Sequence, residues 1–494
     1  MKSVARYYSW RRKLFRLATG IGLLTVAGCT VGPSFHPPQV QTPEAWLGTG
    51  ALPKDRQPAQ TPAAPPGTPA QPVPLAVWWT VFKDPLLDSL VSRAVAENLD
   101  LKQAESRIRQ ARAQRQTQVA GLWPTLGAAG ERLRTRASGA GMKPVDFYQA
   151  GFDAAWELDV FGGTRRAVEA ATADLHASIE DRRDVLVTLI SEVALNYITL
   201  RGVQQQIVIA NDNLEAQQRT VDLTRQRFRD GFNSKLDVVN AEAQAATTRA
   251  EIPVLETAVR QTIYALGVLL GQPPAALVAE LSAAKALPLT PPDVPLGLPA
   301  ELLRRRPDIR RAEAQLHSAT ARIGVATADL FPKFSLTGSL GDSYNHLTGL
   351  VSWDHRFYSF GPSVTWSLFD AGRICANIRV QDELEEQALL QYRTTLLTAL
   401  SDVESALVAY VNEQQHRQAL VEAVSANREA VALSTTLYTQ GQTDFLNVLT
   451  AQRSLFTSQD ALVQSEHSIA IDLVTLYKAL GGGWETEDDK ASAP

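Results

Sequence analysis

The feature that constrains this chain most is a pattern that occurs twice, about 210 residues apart. Leu122-Trp123-Pro124 returns as Leu330-Phe331-Pro332, and Trp156-Glu157-Leu158 returns as Trp366-Ser367-Leu368. Phe161-Gly162-Gly163-Thr164-Arg165 is answered by Phe369-Asp370-Ala371-Gly372-Arg373, and Leu269-Leu270-Gly271 by Ala479-Leu480-Gly481. Gly231 followed by Leu236-Asp237-Val238 has its echo in Gly441 followed by Leu446-Asn447-Val448. Solenoid repeats recur every 20 to 50 residues, roughly. The unit duplicated here is therefore of domain size, with a first copy at 78–285 and a second at 286–484.

Both copies read alike. A helix, over 84–120 and 300–329, stops at the Trp-Pro or Phe-Pro step because proline cannot continue it. Two short segments rich in Thr, Ser, Gly and aromatics follow, at 125–136 and 146–158 and again at 333–343 and 357–368. Their partial alternation predicts two β-hairpins, spanning 125–158 and 333–368, with loops 137–145 and 344–356. A very long helix comes next, 166–229 and 374–439, closed by a glycine turn, and a last helix returns over 235–270 and 444–480. The expected fold class is a mixed α/β membrane protein, mostly α, made of a duplicated helix–β-hairpin–long helix–helix unit.

A helix of about 64 residues spans about 95 Å at about 1.5 Å per residue, about three times a bilayer core. Polar residues such as Arg182, Asp184, Glu192, Arg201 and Asp212 break it, so it is expected to stand in water. Leu186, Ile190, Val193, Tyr197 and Leu200 form a coiled-coil seam. The seam resumes at Val203 after a skipped residue, Gly202, and runs through Ala210, Gln217, Thr224 and Phe228. Its many small or polar positions suit helices packed in a wide ring better than a tight dimer.

The N-terminus reads as an address. Lys2, Arg6, Arg11, Arg12, Lys13 and Arg16 precede a short apolar run, Leu17 to Ala27, which ends in Val26-Ala27-Gly28-Cys29. Small residues before a cysteine resemble a bacterial lipobox, which makes 1–28 a signal peptide and Cys29 the lipid attachment site. Thr30 rather than Asp follows, as in lipoproteins bound for the outer membrane. Residues 29–77 are a lipidated linker, Pro-rich over 50–74 and expected to be extended or disordered, and 485–494 are expected to be a disordered tail.

Each chain offers four strands. A sheet in lipid must close on itself, and single-chain bacterial barrels begin at about eight strands. The copies must pool their strands. Two copies give a barrel filled by side chains and three leave room for a lumen, so strand geometry leaves both open.

At this point the residues resemble the TolC family of outer-membrane exit ducts, and most closely the OprM/NodT-type lipoproteins serving resistance-nodulation-division multidrug efflux systems. The resemblance rests on Trp78-Trp79 with Phe82 and Asp84-Pro85, on Arg306-Pro307-Asp308-Ile309, on Ala451-Gln452-Arg453-Ser454-Leu455-Phe456, and on Leu476 to Trp484. It implies a homotrimer with a twelve-stranded β-barrel in the outer membrane, joined to a twelve-helix α-barrel in the periplasm. It further implies an adaptor (membrane fusion) protein, an inner-membrane pump and outer-membrane lipid as partners. The family's gate residues carry over to Asp237, Tyr438 and Arg453, with Asp444 as a further charge, and Gly231 and Gly441 mark the turns for adaptor contact. Thr450 stands where relatives often carry an aspartate of an entrance ring. Asp444 has the alternative role of a helix cap, and Cys375, near a helix start, is expected to be buried. A type I secretion or metal-efflux duct on the same fold, and a lipid-anchored periplasmic coiled-coil scaffold, are the competing readings.

The remaining chemistry is sparse. With 48 basic and 52 acidic residues there is no excess to attract nucleic acid. Two cysteines exclude a disulfide framework, and the seven histidines are scattered without metal-ligand spacing. Neither a nucleophile elbow nor a phosphate loop is present. The expectation is a non-enzyme that uses no cofactor and no metal.

Overall fold

The computed structural model describes residues 30–39, 43, 46, 75–136, 138, 143–288, 305–347 and 353–485. A short 3-10 segment, Leu75–Phe82, precedes α1 (Pro85–Glu97), α2 (Leu99–Ala120), β1 (Thr125–Thr135), β2 (Val145–Leu158), α3 (Gly163–Arg229) and α4 (Lys235–Leu269). After a single turn at Val278–Leu281 come α5 (Pro307–Ala328), β3 (Lys333–Tyr344), β4 (Arg356–Thr365), α6 (Arg373–Thr439) and α7 (Phe445–Ala479). The two long helices have 67 residues each and the two returning helices 35 each.

Two boundary differences from the sequence reading have a visible cause; besides these, α3 begins at Gly163 rather than 166, and the expected helix start at 300 lies outside the described residues. The helix expected over 84–120 is two helices, parted at Asn98, whose ψ of 135° is extended. Asn98 Oδ1 accepts from the Leu101 amide while its Nδ2 donates to the Leu269 carbonyl, so one buried side chain serves the new start and a neighbouring helix end. The last strand stops at Thr365 instead of 368. Its partner β3 begins at Lys333, opposite Thr365, and the residue before is Pro332, which has no N–H to extend the ladder.

The chain forms two compact units, and both copies of the repeat contribute to each. The first gathers Arg107–Ile179 and Arg311–Arg393 with the N-terminal segment up to Gln39. Its sheet is antiparallel in the order β1-β2-β3-β4. The register joins the repeats through β2 and β3, with Phe152 opposite Leu340 and Trp156 opposite Leu336. Cβ atoms at Gly151 and Gly341 would fall 2.8 Å and 2.5 Å from carbonyl oxygens of the facing strand, so only glycine fits at that crossing.

The second unit holds the long-helix hairpins. Leu186, Ile190 and Tyr197 of α3 bury against Trp78, Phe82, Leu87 and Leu90, against Ile263 and Leu266 of α4, and against Leu473 and Tyr477 of α7. Each fully buried aliphatic side chain contributes about 1.5–3 kcal/mol. All five residues of the expected α3 seam from Leu186 to Leu200 are in this core. Gly202, the skipped position, makes room for another helix: a Cβ there would lie 2.8 Å from the His467 ring. One 18-residue window of α3 reaches a mean hydropathy of 1.3, but 67% of it is buried inside the protein, as a core helix requires.

The resembling motifs have structural employment here. Asp84 caps α1 by accepting from the Leu86 amide and also accepts from the Tyr197 hydroxyl at 2.5 Å. Burial, and then that carboxylate, push Tyr197 up to about 12. Arg306 pairs with Asp308 at 2.7 Å and Asp402 at 3.2 Å and donates to the Ala479 carbonyl at the end of α7. Trp484 donates to the Arg305 carbonyl while the guanidinium groups of Arg183 and Arg310 lie over its ring.

Of the expected linker, the part over 50–74 lies outside the described residues, as does the tail beyond Glu485. Glu485 itself pairs with Arg305 at 2.7 Å. Cys375 is exposed, contrary to expectation, because only Ile374 of the first turn of α6 turns inward.

Candidate functional site

Two regions bear on function: the sheet and the pair of hairpin tips. On the sheet, alternation separates two faces. Leu126, Phe152, Trp156, Leu336, Leu340 and Phe360 share one, and Thr125, Gln149, Asp153, Ser335, Thr337 and Ser339 share the other. The apolar face is left bare: Phe152 is 58% and Phe360 82% exposed. From Leu158 to Tyr148, ten residue steps cover about 33 Å of strand, or about 25 Å of height at a tilt of about 40°. That matches the apolar band of an outer-membrane barrel. β1 and β4 are the outer strands of the sheet, so each keeps one edge without a partner among the described residues.

Beside the sheet, the segment after Cys29 is strapped down, although Cys29 itself lies outside the described residues. The Val31 amide donates to the Phe161 carbonyl, and Arg166 donates to the carbonyls of Val31 and Gly32. Phe35 stacks on His317 at 4.5 Å. A Cβ on Gly162 would strike Thr30, and one on Gly32 would lie 2.4 Å from the Gly324 Cα. Thr30 therefore sits just past the end of β2 from which the helices depart.

The tips are built by one backbone device used twice. Gly231 and Gly441 adopt φ of 79° and 74°, which side chains resist. The Phe232 amide reaches back to the Arg227 carbonyl and the Gln442 amide to the Leu437 carbonyl, both at 2.8 Å, closing each long helix in a Schellman turn. A Cβ on either glycine would meet nothing, so the turns project into open space.

The residues singled out from sequence occupy different settings around this frame. Tyr438 is buried, with its ring 5.6 Å from Phe445 and its hydroxyl accepting from Asn233 Nδ2 at 3.1 Å. Asp237 forms a capping box with Ser234: the Asp237 amide donates to Ser234 Oγ, and Asp237 Oδ2 accepts from the Ser234 amide. Asp444 stands at the N-cap of α7 but makes no side-chain capping bond, so its alternative role as a cap is not used. It is exposed, and Asn447 ties back to Thr443 instead, at 2.6 Å. Arg453 reaches Gln244 Oε1 at 2.6 Å and lies on the other hairpin from Asp237 without pairing with it in this chain. The Thr450 hydroxyl is turned onto its own helix, at the Leu446 carbonyl.

Arg227 joins the two tips and was not foreseen. Its Nη1 donates to the Thr439 carbonyl at 3.0 Å, and its guanidinium lies 4.8 Å over the Tyr438 ring and 5.7 Å over that of Phe232. The only hint in the sequence was a basic residue in the last turn of a long helix, where cations favour the helix dipole. Above the tips, α3 and α7 also share side-chain hydrogen bonds: Gln206 donates to Asp460, Asn213 to Gln459, and Gln452 to Thr220.

Comparison with known proteins completes the description of the chain. The model of the family described as "Outer membrane efflux protein" matches residues 90–272 and 298–482. Nodulation protein T of Rhizobium leguminosarum bv. trifolii is 31% identical over 95% of this chain and 97% of its own length. The pyoverdine export outer membrane protein OpmQ of Pseudomonas aeruginosa is 36% identical over 83% and 88%. The solved structure of the outer-membrane channel OprN superposes with a TM-score of 0.83 at 35% identity, covering 92% of this chain and all of that one.

Proposed function

The chain belongs to the outer membrane efflux protein family, and from that premise we propose how its parts divide the work of an exit duct. It is an outer-membrane channel that passes small molecules out of the periplasm in a tripartite efflux system. The observation that carries the reading is the four-stranded sheet with one bare apolar face and two open edges. Such edges are not tolerated in lipid. β4 of one copy pairs with β1 of the next, and three copies make twelve strands around a lumen lined by the Ser, Thr and Asp face. The exposed apolar residues Val380, Leu384, Leu390 and Leu397 along α6 support packing against neighbouring copies.

Cys29 carries the acyl anchor on this reading. The strap from Thr30 to Phe35 supports it, because it holds the anchor beside the helix-bearing rim of the sheet, level with the periplasmic leaflet. The tips meet a periplasmic adaptor, behind which stands an inner-membrane pump that selects the cargo. The duct needs no catalysis of its own.

The gate lies at the tips. Tyr438 and Arg227 hold the hairpins of one chain together, and Asp237, Asp444 and Arg453 act between chains. Asp237→Ala combined with Arg453→Ala should raise single-channel conductance in a planar bilayer several-fold and sensitise cells to vancomycin. Unchanged conductance in the double variant would reduce these charges to a solvated face and leave closure to Tyr438 and Arg227.

A further inference from the structure

The bare face of the sheet is not uniform. At the end of the strands away from the helices it carries a groove of about 520 Å³. Ala128, Gly130 and Ala150 form its floor, Phe152 and Leu340 rise beside it, and Asp342 and Arg356 stand at its upper margin. These residues lie on the apolar side in register: Gly130 opposite Ala150, Ala150 opposite Asp342, and Asp342 opposite Arg356. One step further out, Arg132 faces the same way, 3.4 Å from Asp146 and with its guanidinium 5.5 Å over the Tyr148 ring. The Arg356 guanidinium carbon lies over the Trp353 ring, 3.6 Å from its centroid.

We propose that this groove binds an outer-leaflet phosphoglycolipid of the lipid A type, with an acyl chain on the small-residue floor and phosphates at Arg356 and Arg132. The proposal rests on the reading that the sheet spans the outer membrane. The groove then opens to acyl chains, because everything on this side of the sheet faces lipid. Its margin lies at the outer boundary, because the helices leave from the opposite end of the strands. A floor of Ala and Gly admits a methylene chain where larger side chains would fill the space. Three inter-strand spacings of about 4.8 Å and an axial offset of two residues, about 6.8 Å, set the Cα atoms of Arg132 and Arg356 about 16 Å apart, within side-chain reach of the two phosphates of a bis-phosphorylated disaccharide and too wide for one. Both arginines are held by aromatic rings that leave N–H groups free to donate, and guanidinium is well matched to phosphate. Between them, Asp342 Oδ1 is shielded from water and has no hydrogen-bond partner. A carboxylate repels phosphate but accepts readily from a sugar hydroxyl or an amide N–H, groups that an acylated amino sugar carries and a simple phosphate does not.

The test is lipid retention by the detergent-purified full-length protein, measured by mass spectrometry after exchange with lipid A, with phosphatidylglycerol, or with inorganic phosphate alone. Arg132→Gln with Arg356→Gln removes the phosphate partners. Gly130→Leu fills the groove, and its backbone tolerates a side chain because the nearest atom to a Cβ there is 3.9 Å away. Lipid A should be retained by the wild type and lost at least about tenfold in each variant, whereas phosphatidylglycerol retention should be weak and unchanged. Unaltered channel conductance would show that the variants fold, and separates failure of this proposal from failure of the duct reading. Equal lipid A retention by wild type and variants would overturn the proposal. So would retention of phosphatidylglycerol or phosphate in its place.

Discussion

The two hairpin tips share one backbone and differ in nearly everything attached to it. Helix lengths, glycine conformations and Schellman bonds match across the 210-residue offset. The side chains do not. From Arg219 to Asp237 the first tip carries eight charged residues, whereas the matching stretch 429–447 in the second carries two, Glu429 and Asp444. Phe228 is 42% exposed and its counterpart Tyr438 is buried; Lys235 corresponds to the buried Phe445, and Asp237 to Asn447. The backbone is what the fold demands of each copy. The second tip has become an apolar seat, and the first brings to it the charged and polar groups Arg227 and Asn233 that close over Tyr438.

The difference is tested most severely at Tyr438. Truncation to Ala empties a buried aromatic site and should cost about 3 kcal/mol, seen as early local unfolding of the tips in hydrogen exchange. Phe228→Ala should cost under about 1 kcal/mol. Equal losses would mean that the two tips are energetically equivalent after all.

A smaller effect belongs to the caps. Ser234→Ala breaks the capping box and should destabilise the start of α4 by about 1 kcal/mol. Asp444→Asn should leave the start of α7 unchanged, because the Asp444 carboxylate makes no capping bond. A comparable loss at Asp444, read by hydrogen exchange of the first turn of α7, would contradict that asymmetry.

The smallest expected effect extends the comparison up the helices. Asp472 is raised to about 6 by burial and secondly by Glu413, while its first-repeat counterpart is the neutral Thr262. The folded protein thus holds this proton more tightly than the unfolded chain, whose carboxyl titrates near about 3.9. Stability from this group is greatest at low pH and is lost as pH rises through about 6. Because the side chain is partly solvated, the effect should stay within about 1 kcal/mol. Asp472→Asn should raise the melting temperature by about 1–2 °C at pH 7.5 and not at all at pH 4. A gain that is the same at both pH values would assign the effect to packing.

How far the sequence could be read follows from what is local. Helix starts, turns and strand lengths are written in neighbouring residues: Pro124 and Pro332 end helices, Gly231 and Gly441 form turns, and alternation marks β2 and β3. Asn98 escaped notice because the apolar period runs through it and its bond to Leu269 is made across 171 residues. The union of the tips through Arg227 is tertiary in the same way. Cys375 was misread because the sequence near a helix start does not show which residue of the first turn faces inward, and Ile374 takes that place. Asp237 was singled out by the resemblance to the family's gate, whereas its visible bond is to Ser234, three residues away, a spacing that the sequence displayed and that could have been read as a capping box.

The central claim, closure of the sheet between copies, can be tested by joining its edges. Cysteines replacing Ala129 in β1 and Ser359 in β4 fall on the face away from lipid. With Cys375→Ser removing the exposed thiol, a short bismaleimide applied to membranes should convert the protein into covalent dimers and trimers, ending at the trimer, while neither single cysteine should give a trimer. Protein that stays monomeric, or a ladder that continues beyond three, would contradict a barrel closed by three chains.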